Sequence, residues 1–213
     1  MWHQSTSIHT TLIWRLYALM NTLLFGSSNK GKVAEVSKVA GALGVTIVGL
    51  DSCSGPELGA PPVVVEGLPT YEANAAHKAL SYARWARRPC LGDDTGLELD
   101  VLGGLPGLYS HRFGLPRVAA LLGLSAQTAA RFVCCISYAE PSGRLVSVTR
   151  ALEGRLRRPS ESEISELADD PLPYARLFTP VGETRPLREL LSRDGFLSHR
   201  GMALSGLLRV LFG

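Results

Sequence analysis

The chain reads as an α/β protein, and three observations carry that reading. Residues 22–43 form a strand, polar turn and helix unit. A second amphipathic helix leads into an apolar stretch that breaks at Asp93-Asp94. Apolar runs at 131–138 and 144–152 flank Glu140-Pro-Ser-Gly143 as a hairpin would. At 213 residues the length suits one domain, with room for two lobes on one sheet.

Taken in order, Thr22 to Gly26 reads as a short buried strand. Ser27-Ser28-Asn29-Lys30-Gly31-Lys32 is the polar turn. Val33, Val36, Ala40 and Leu43 then recur at helical spacing. A helix N-terminus offers unpaired N–H groups and a positive dipole end, which suits a phosphate. The same residues also suit a plain helix cap with two solvated lysines, and the spacing is not that of a Walker A loop. Val45 to Leu50 reads as a second strand. Asp51 to Pro69 is a Gly- and Pro-rich loop interrupted by Val63-Val64-Val65-Glu66, where Glu66 either reaches a cleft or ends in solvent.

Thr70 is placed to cap a helix that runs to about Trp85, with Glu72 in its first turn where the dipole favours an acid. Tyr71, Ala75, Ala79 and either Tyr82 or Ala83 form its packed stripe. Asn74 and Lys78, four apart, share another face, which presents an amide and an ammonium either to a ligand or to water.

The centre of the chain is Cys90-Leu-Gly-Asp-Asp-Thr-Gly-Leu-Glu-Leu-Asp100. Neighbours on an extended chain point to opposite faces, so one of Asp93 and Asp94 looks into a given cleft and the other can anchor the backbone. A carboxylate at such a place can bind a hard cation or take a proton from water. Asp-Asp-Thr-Gly is equally composed of turn formers. Gly103 to Gly114 reads as a shaped loop, Val118–Leu124 as a short helix and Glu161–Leu167 as another. Tyr174 to Phe178 reads as a strand and Thr184 to Ser192 as helical. The last helix opens at Ser198-His199-Arg200-Gly201, with Met202, Leu204, Leu207, Leu208 and Leu211 among its apolar residues.

Composition narrows the function classes. Apolar residues are 46% and charged residues 19%, which suits a packed core rather than disorder. A net charge of +3 implies no broad nucleic-acid surface but leaves room for a local basic pocket. Cys53, Cys90, Cys134 and Cys135 lack Cys-x-x-Cys spacing, so buried free thiols in a reducing, cytoplasmic setting are expected. Residues 1–20 read as a flexible extension or a misassigned start ahead of Met20, too short and polar in their apolar part to span a bilayer. The domain proper is then 21–213.

In sequence, the segments Ser27–Lys32, Glu66-Gly67 before Thr70-Tyr-Glu-Ala-Asn74-Ala-Ala-His-Lys78, Gly92–Gly107 with Tyr109-Ser-His-Arg112, and Ser198–Gly201 resemble the inosine/xanthosine triphosphate pyrophosphatase family. The resemblance implies a long, mixed, twisted sheet with two lobes, a nucleotide in the cleft between them, and a homodimer. It implies that Ser27, Ser28, Asn29, Lys30 and Lys32 cradle a triphosphate and that Lys78 adds a contact. It implies that Glu66 and Asp94 hold Mg²⁺ and that Asp94 is the general base. Thr95, Tyr174, His199 and Arg200 fall where the family contacts substrate, the last two against the purine's oxo edge. Departures cluster on the base side. The family's Phe-Gly-Tyr-Asp is Leu172-Pro173-Tyr174-Ala175 here, its lysine five residues before the histidine is Asp194, and its glutamate before the asparagine is Ala73. Three readings stay open: an active pyrophosphatase, one with redirected base preference as in the related septum-associated enzymes, and a binding-only relative.

Overall fold

A computed structural model describes residues 21–53, 58–123 and 126–212. The expectations for residues 1–20 and for a helix end at Leu124 lie outside them. Among the described residues the strands form one seven-stranded mixed sheet ordered β2-β1-β3-β5-β6-β7, with β4 paired to β3. These are β1 (Thr22–Phe25), β2 (Thr46–Gly49), β3 (Cys90–Leu99), β4 (Pro106–Gly107), β5 (Gln127–Ala139), β6 (Leu145–Arg157) and β7 (Phe178–Pro180). β1 pairs in parallel with β2 and β3; from β3 outward the pairing is antiparallel. The predicted α/β class and mixed sheet hold.

Helix α1 (Lys30–Gly41) crosses from β1 to β2 and α2 (Tyr71–Ala86) leads into β3. Helix α1 and the C-terminal α6 (His199–Phe212) cover one face of the sheet, where Leu23, Phe25, Val36, Ile136 and Leu204 form a core. On the opposite face α2 lays Ala79 and Ala83 against Leu24 and Cys90. The long strands β3, β5 and β6 run on past these layers into a second core, where Leu97, Leu99, Phe132 and Leu156 meet Leu115 and Val118 of α3 (Ser110–Leu122) and Phe178 of β7. A cleft is left where the two cores meet.

Several boundaries differ from the periodicity. The α1 stripe stops at Ala40, because the helix ends at Gly41 and the chain turns at Gly44 (φ 75°), leaving Leu43 47% exposed. The segment 110–114 is helical rather than loop. Gly114 (φ 70°, ψ 164°) breaks α3, and Pro116 then falls in the first turn of its second half, where no N–H is needed. Tyr174 is not in a strand: Pro173 starts a 3₁₀ turn over Pro173–Arg176, and β7 begins only at Phe178. Of Thr184 to Ser192, only Leu187–Leu190 (α5) is helical, starting after Pro186; α4 spans Glu161–Glu166. The hairpin strands are longer than the apolar runs, with Gln127 opposite Arg157.

Two glycines let β3 lie close to its cover. A Cβ at Gly92 would strike Ala75 O and Ala79 N of α2, and one at Gly96 would strike Gly107 O and Tyr71 Oη. Gly96→Ala is therefore expected to lower stability by about 1–3 kcal/mol, the usual cost of overpacking, read as a reduced thermal midpoint.

Candidate active site

Asp93 and Asp94 do point to opposite faces of β3, and each organises its own cluster. Asp93 is fully buried beneath α1 and α6. Lys32 Nζ lies 3.0 Å from Oδ2, Arg200 Nε donates to the same oxygen at 3.2 Å, and Thr95 Oγ1 donates to it at 3.1 Å. Burial alone would push the carboxyl's pKa up; Lys32, Arg200 and Lys78 outweigh it and hold the group well below the usual carboxylate range. Arg200 is itself 2% exposed. It donates further to Glu35 Oε2 and, at 3.2 Å, to Thr95 Oγ1. Ser198 donates to the other oxygen of Glu35 and accepts from Gly201 N at 3.2 Å, capping α6.

Asp94 faces α2. Its Oδ2 accepts from Asn74 Nδ2 at 3.0 Å and its Oδ1 from Thr95 N at 2.9 Å. Asn74 has its own orientation fixed, accepting from Leu68 N at 2.9 Å and donating to Leu68 O at 3.1 Å. That clamp holds the loop carrying Glu66, whose Oε1 is 2.7 Å from Lys78 Nζ. Arg112 also donates to Glu66 O. Burial works against the Lys78 ammonium, but Asp93, Glu66 and Asp94 outweigh it and raise its pKa above the ordinary lysine value. Lys78 thus senses both clusters. Burial raises the Asp94 pKa; Lys78 and Asn74 oppose, Glu66 and Asp93 assist, and the carboxyl ends above its usual range. The face shared by Asn74 and Lys78 is accordingly buried against β3, not solvated.

Across the two clusters three cations, Lys32, Lys78 and Arg200, stand among four carboxylates, Glu35, Glu66, Asp93 and Asp94. The ensemble is one negative charge in excess and repels a polyanion unless a divalent cation joins it. Among the described residues no group of three or more His, Cys, Asp or Glu side chains is disposed to hold a metal. Glu66 and Asp94 both act on Lys78, and Glu66 helps raise the Asp94 pKa, so two carboxylates bear on this one cation. That fits Mg²⁺, which is commonly held by one or two carboxylates with water and substrate phosphates completing its shell.

On the Asp93 side the cleft opens into a cavity of about 670 Å³, lined by Thr95, Gly96 and Leu97 of β3, by Lys32, His199 and Arg200, and by Leu172 to Ala175. Asp94, Glu66 and Lys78 are not in its wall. His199 is buried and stacks on Phe132, with ring centroids 4.7 Å apart and planes at 11°. Neither of its ring nitrogens has a partner. Burial and Arg200 push its pKa well below the ordinary histidine value, so the ring is neutral at pH 7.

The phosphate-loop residues divide. Asn29 caps α1, its Oδ1 accepting from Lys32 N at 3.0 Å while Nδ2 donates to Pro171 O at 3.2 Å across the cleft. Ser27 Oγ accepts from Asn29 N at 3.2 Å, and Ser28 and Lys30 are exposed. Lys32 is not solvated, being committed to Asp93. Tyr174 is buried and donates to Ser110 O at 3.2 Å. Asp194 is fully exposed 3.6 Å from Lys38, away from the cavity wall. Glu35 is a residue that sequence reasoning missed. Its signal was an acid on the face of α1 that also carries Lys32 and Val36, where a solvated helix needs none.

The chain matches the model of the Ham1 family over residues 23–210. It is 32% identical to a dITP/XTP pyrophosphatase of Anaeromyxobacter dehalogenans, over 89% of this chain and 96% of that protein. It is 34% identical to a dITP/XTP pyrophosphatase of Deinococcus deserti, over 87% and 86%. A solved HAM1 protein from Coxiella burnetii superposes with a TM-score of 0.68 at 25% identity, covering 89% of this chain and 98% of that one. The four cysteines are buried and free.

Proposed function

The chain belongs to the Ham1 family, and on that premise we propose that it hydrolyses non-standard purine nucleoside triphosphates to the monophosphate and pyrophosphate. The observation that carries this reading is the meeting on neighbouring residues of β3 of two charge clusters, Asp94 with Asn74, Lys78 and Glu66, and Asp93 with Lys32 and Arg200 at the cavity. The relatives named dITP/XTP pyrophosphatase support the same chemistry.

In this reading the purine enters the cavity beside His199. The triphosphate runs toward Ser28, Lys30 and the first N–H groups of α1, with Ser27, Asn29 and Lys32 shaping that turn. Thr95 and Arg200 keep the strand and the base end in register through Asp93, and Tyr174 closes the wall. Glu66 and Asp94 would hold Mg²⁺, which neutralises phosphate charge. Lys78, beside Glu66, supplies a further positive charge. Asp94 accepts a proton from water as the water oxygen bonds to the α-phosphorus, and the bond to the bridging oxygen breaks to release pyrophosphate. Its raised pKa suits a proton acceptor. The reading takes residues 21–213 as one two-lobed domain, a homodimer in the reducing cytoplasm. Among the described residues no helix is long and apolar enough to cross a membrane.

The test is pyrophosphate release from inosine and xanthosine triphosphates. One pyrophosphate should appear per monophosphate, stop on chelation and resume with Mg²⁺. Nucleotide binding without release at every metal concentration would establish a binding-only protein instead.

A further inference from the structure

We propose that the cavity is shaped for 6-alkoxypurine nucleoside triphosphates, in which an acceptor oxygen on the base carries an apolar arm. The oxygen meets Arg200 and the arm fills an apolar recess in the second core. The inference rests on the reading of this cleft as a nucleotide site and names a substrate class within it.

The cavity has two unlike walls. Lys32, Glu35, His199 and Arg200 come from α1 and α6, which cover the first core. Leu115, Leu167, Leu172, Ala175 and Leu187 belong to the second core, and Leu97 of β3 joins them. Leu115, Leu167, Ala175 and Leu187 are at most 4% exposed, so this wall is the core itself rather than a surface. Core side chains elsewhere in a protein are packed on every side. These border a cavity of about 670 Å³, a size typical of sites that enclose a drug-sized ligand.

An unsubstituted purine is a poor occupant for the apolar wall. Its rim carries ring nitrogens and an exocyclic oxygen or amine. Leucine and alanine side chains offer these no partner, so each one buried there forfeits its hydration. An alkyl group has no such cost and gains with every carbon removed from water.

The opposite wall selects the atom that carries the arm. A guanidinium has five N–H groups, and Arg200 spends three of them, on Asp93, Glu35 and Thr95. Five less three leaves two, and they are donors whose nature cannot change. The three bonds made within the protein hold the group in place. An ether oxygen accepts from such a donor. An alkylamino N–H in the same position sets donor against donor and leaves both without a partner. The one exocyclic oxygen of hypoxanthine is at position 6, and an arm on that oxygen keeps the acceptor while adding the apolar group.

The experiment measures kcat/KM of the full chain, with Mg²⁺, for inosine triphosphate, for the triphosphates of 6-methoxy-, 6-ethoxy- and 6-propoxypurine riboside, and for that of 6-propylaminopurine riboside. Each added methylene is expected to raise kcat/KM by about fourfold. The propoxy compound should exceed inosine triphosphate, and should exceed its propylamino counterpart by about tenfold or more. A value that stays level or falls from methoxy to propoxy, or a propoxy value below that of inosine triphosphate, overturns the inference. Equal propoxy and propylamino values overturn the part given to Arg200. Ala175→Leu puts a larger side chain into the recess and should flatten the rise along the alkoxy series; an unchanged rise would mean that the arm lies elsewhere. Calorimetry with the α,β-methylene analogues of the methoxy and propoxy nucleotides separates this inference from the enzymatic reading. Tighter binding of the propoxy analogue with no turnover of any nucleotide upholds the recess and removes the hydrolase. Equal or weaker binding refutes the recess whatever the turnover.

Discussion

Asp94→Asn is expected to lower pyrophosphate release by about 10²–10⁴-fold, the usual worth of a positioned general base. The substitution keeps size and removes both the charge and the basic lone pairs. It is not neutral for folding, and the geometry says why. Asn74 cannot turn its amide, because Oδ1 and Nδ2 are both bonded to the backbone of Leu68. Its remaining N–H aims at Asp94 Oδ2, and Thr95 N aims at Oδ1. An asparagine at 94 offers one acceptor to two donors, so one buried donor loses its partner at about 1–3 kcal/mol. For a chain of this size that is a thermal midpoint lower by a few degrees, with the folded state still dominant at 25 °C. Single-turnover assays below the new midpoint then isolate the chemical role. A variant that melts lower yet turns over at the wild-type rate would leave Asp94 as a clamp for the Leu68 loop and nothing more.

How far the sequence disclosed this arrangement can be judged residue by residue. The alternation argument at Asp93-Asp94 needed only the two-residue period of a strand, and both side chains obey it. Thr70 was legible as a cap because cap chemistry is local: one side-chain oxygen and one N–H within three residues. What periodicity could not show was which polar side chains would be buried. Asn74 and Lys78 look like a solvated face until β3, with its two close-approach glycines, lies against them. Glu35 looks like any helix acid until Arg200, 165 residues further on, pairs with it. The 3₁₀ turn at Tyr174 was hidden for a different reason. A short apolar run reads as strand unless Pro173 is allowed to set the first turn. The departures at Ala175 and Asp194 were visible as letters, yet their meaning differs. Ala175 stands in the cavity wall, whereas Asp194 is on the surface and takes no part in it.

Replacing Arg200 by methionine is expected to cost about 3–5 kcal/mol of folding stability, seen as a thermal midpoint depressed by roughly 6–20 °C. The residue sits at the centre of a closed set of four charges: Lys32 and Arg200 against Asp93 and Glu35. Asp93 has no exposure and Arg200 has 2%. Taking the guanidinium away leaves Asp93 with Lys32 as its remaining ion pair and Glu35 with only the Ser198 hydroxyl. Water cannot compensate either at so little exposure. The penalty is mainly that of two stranded carboxylates rather than the net worth of the salt bridges. Removing a carboxylate as well should therefore help: Arg200→Met combined with Glu35→Met is expected to melt above Arg200→Met alone, a sign of coupling that a general packing defect would not give. The comparison also bears on function. A guanidinium that must hold Asp93, Glu35 and Thr95 together acts first by positioning, so its loss should raise KM through a loosened cavity wall. An Arg200→Met protein that melts like wild type would mean the cluster relaxes at no cost, and the closed-charge account of this site would fail.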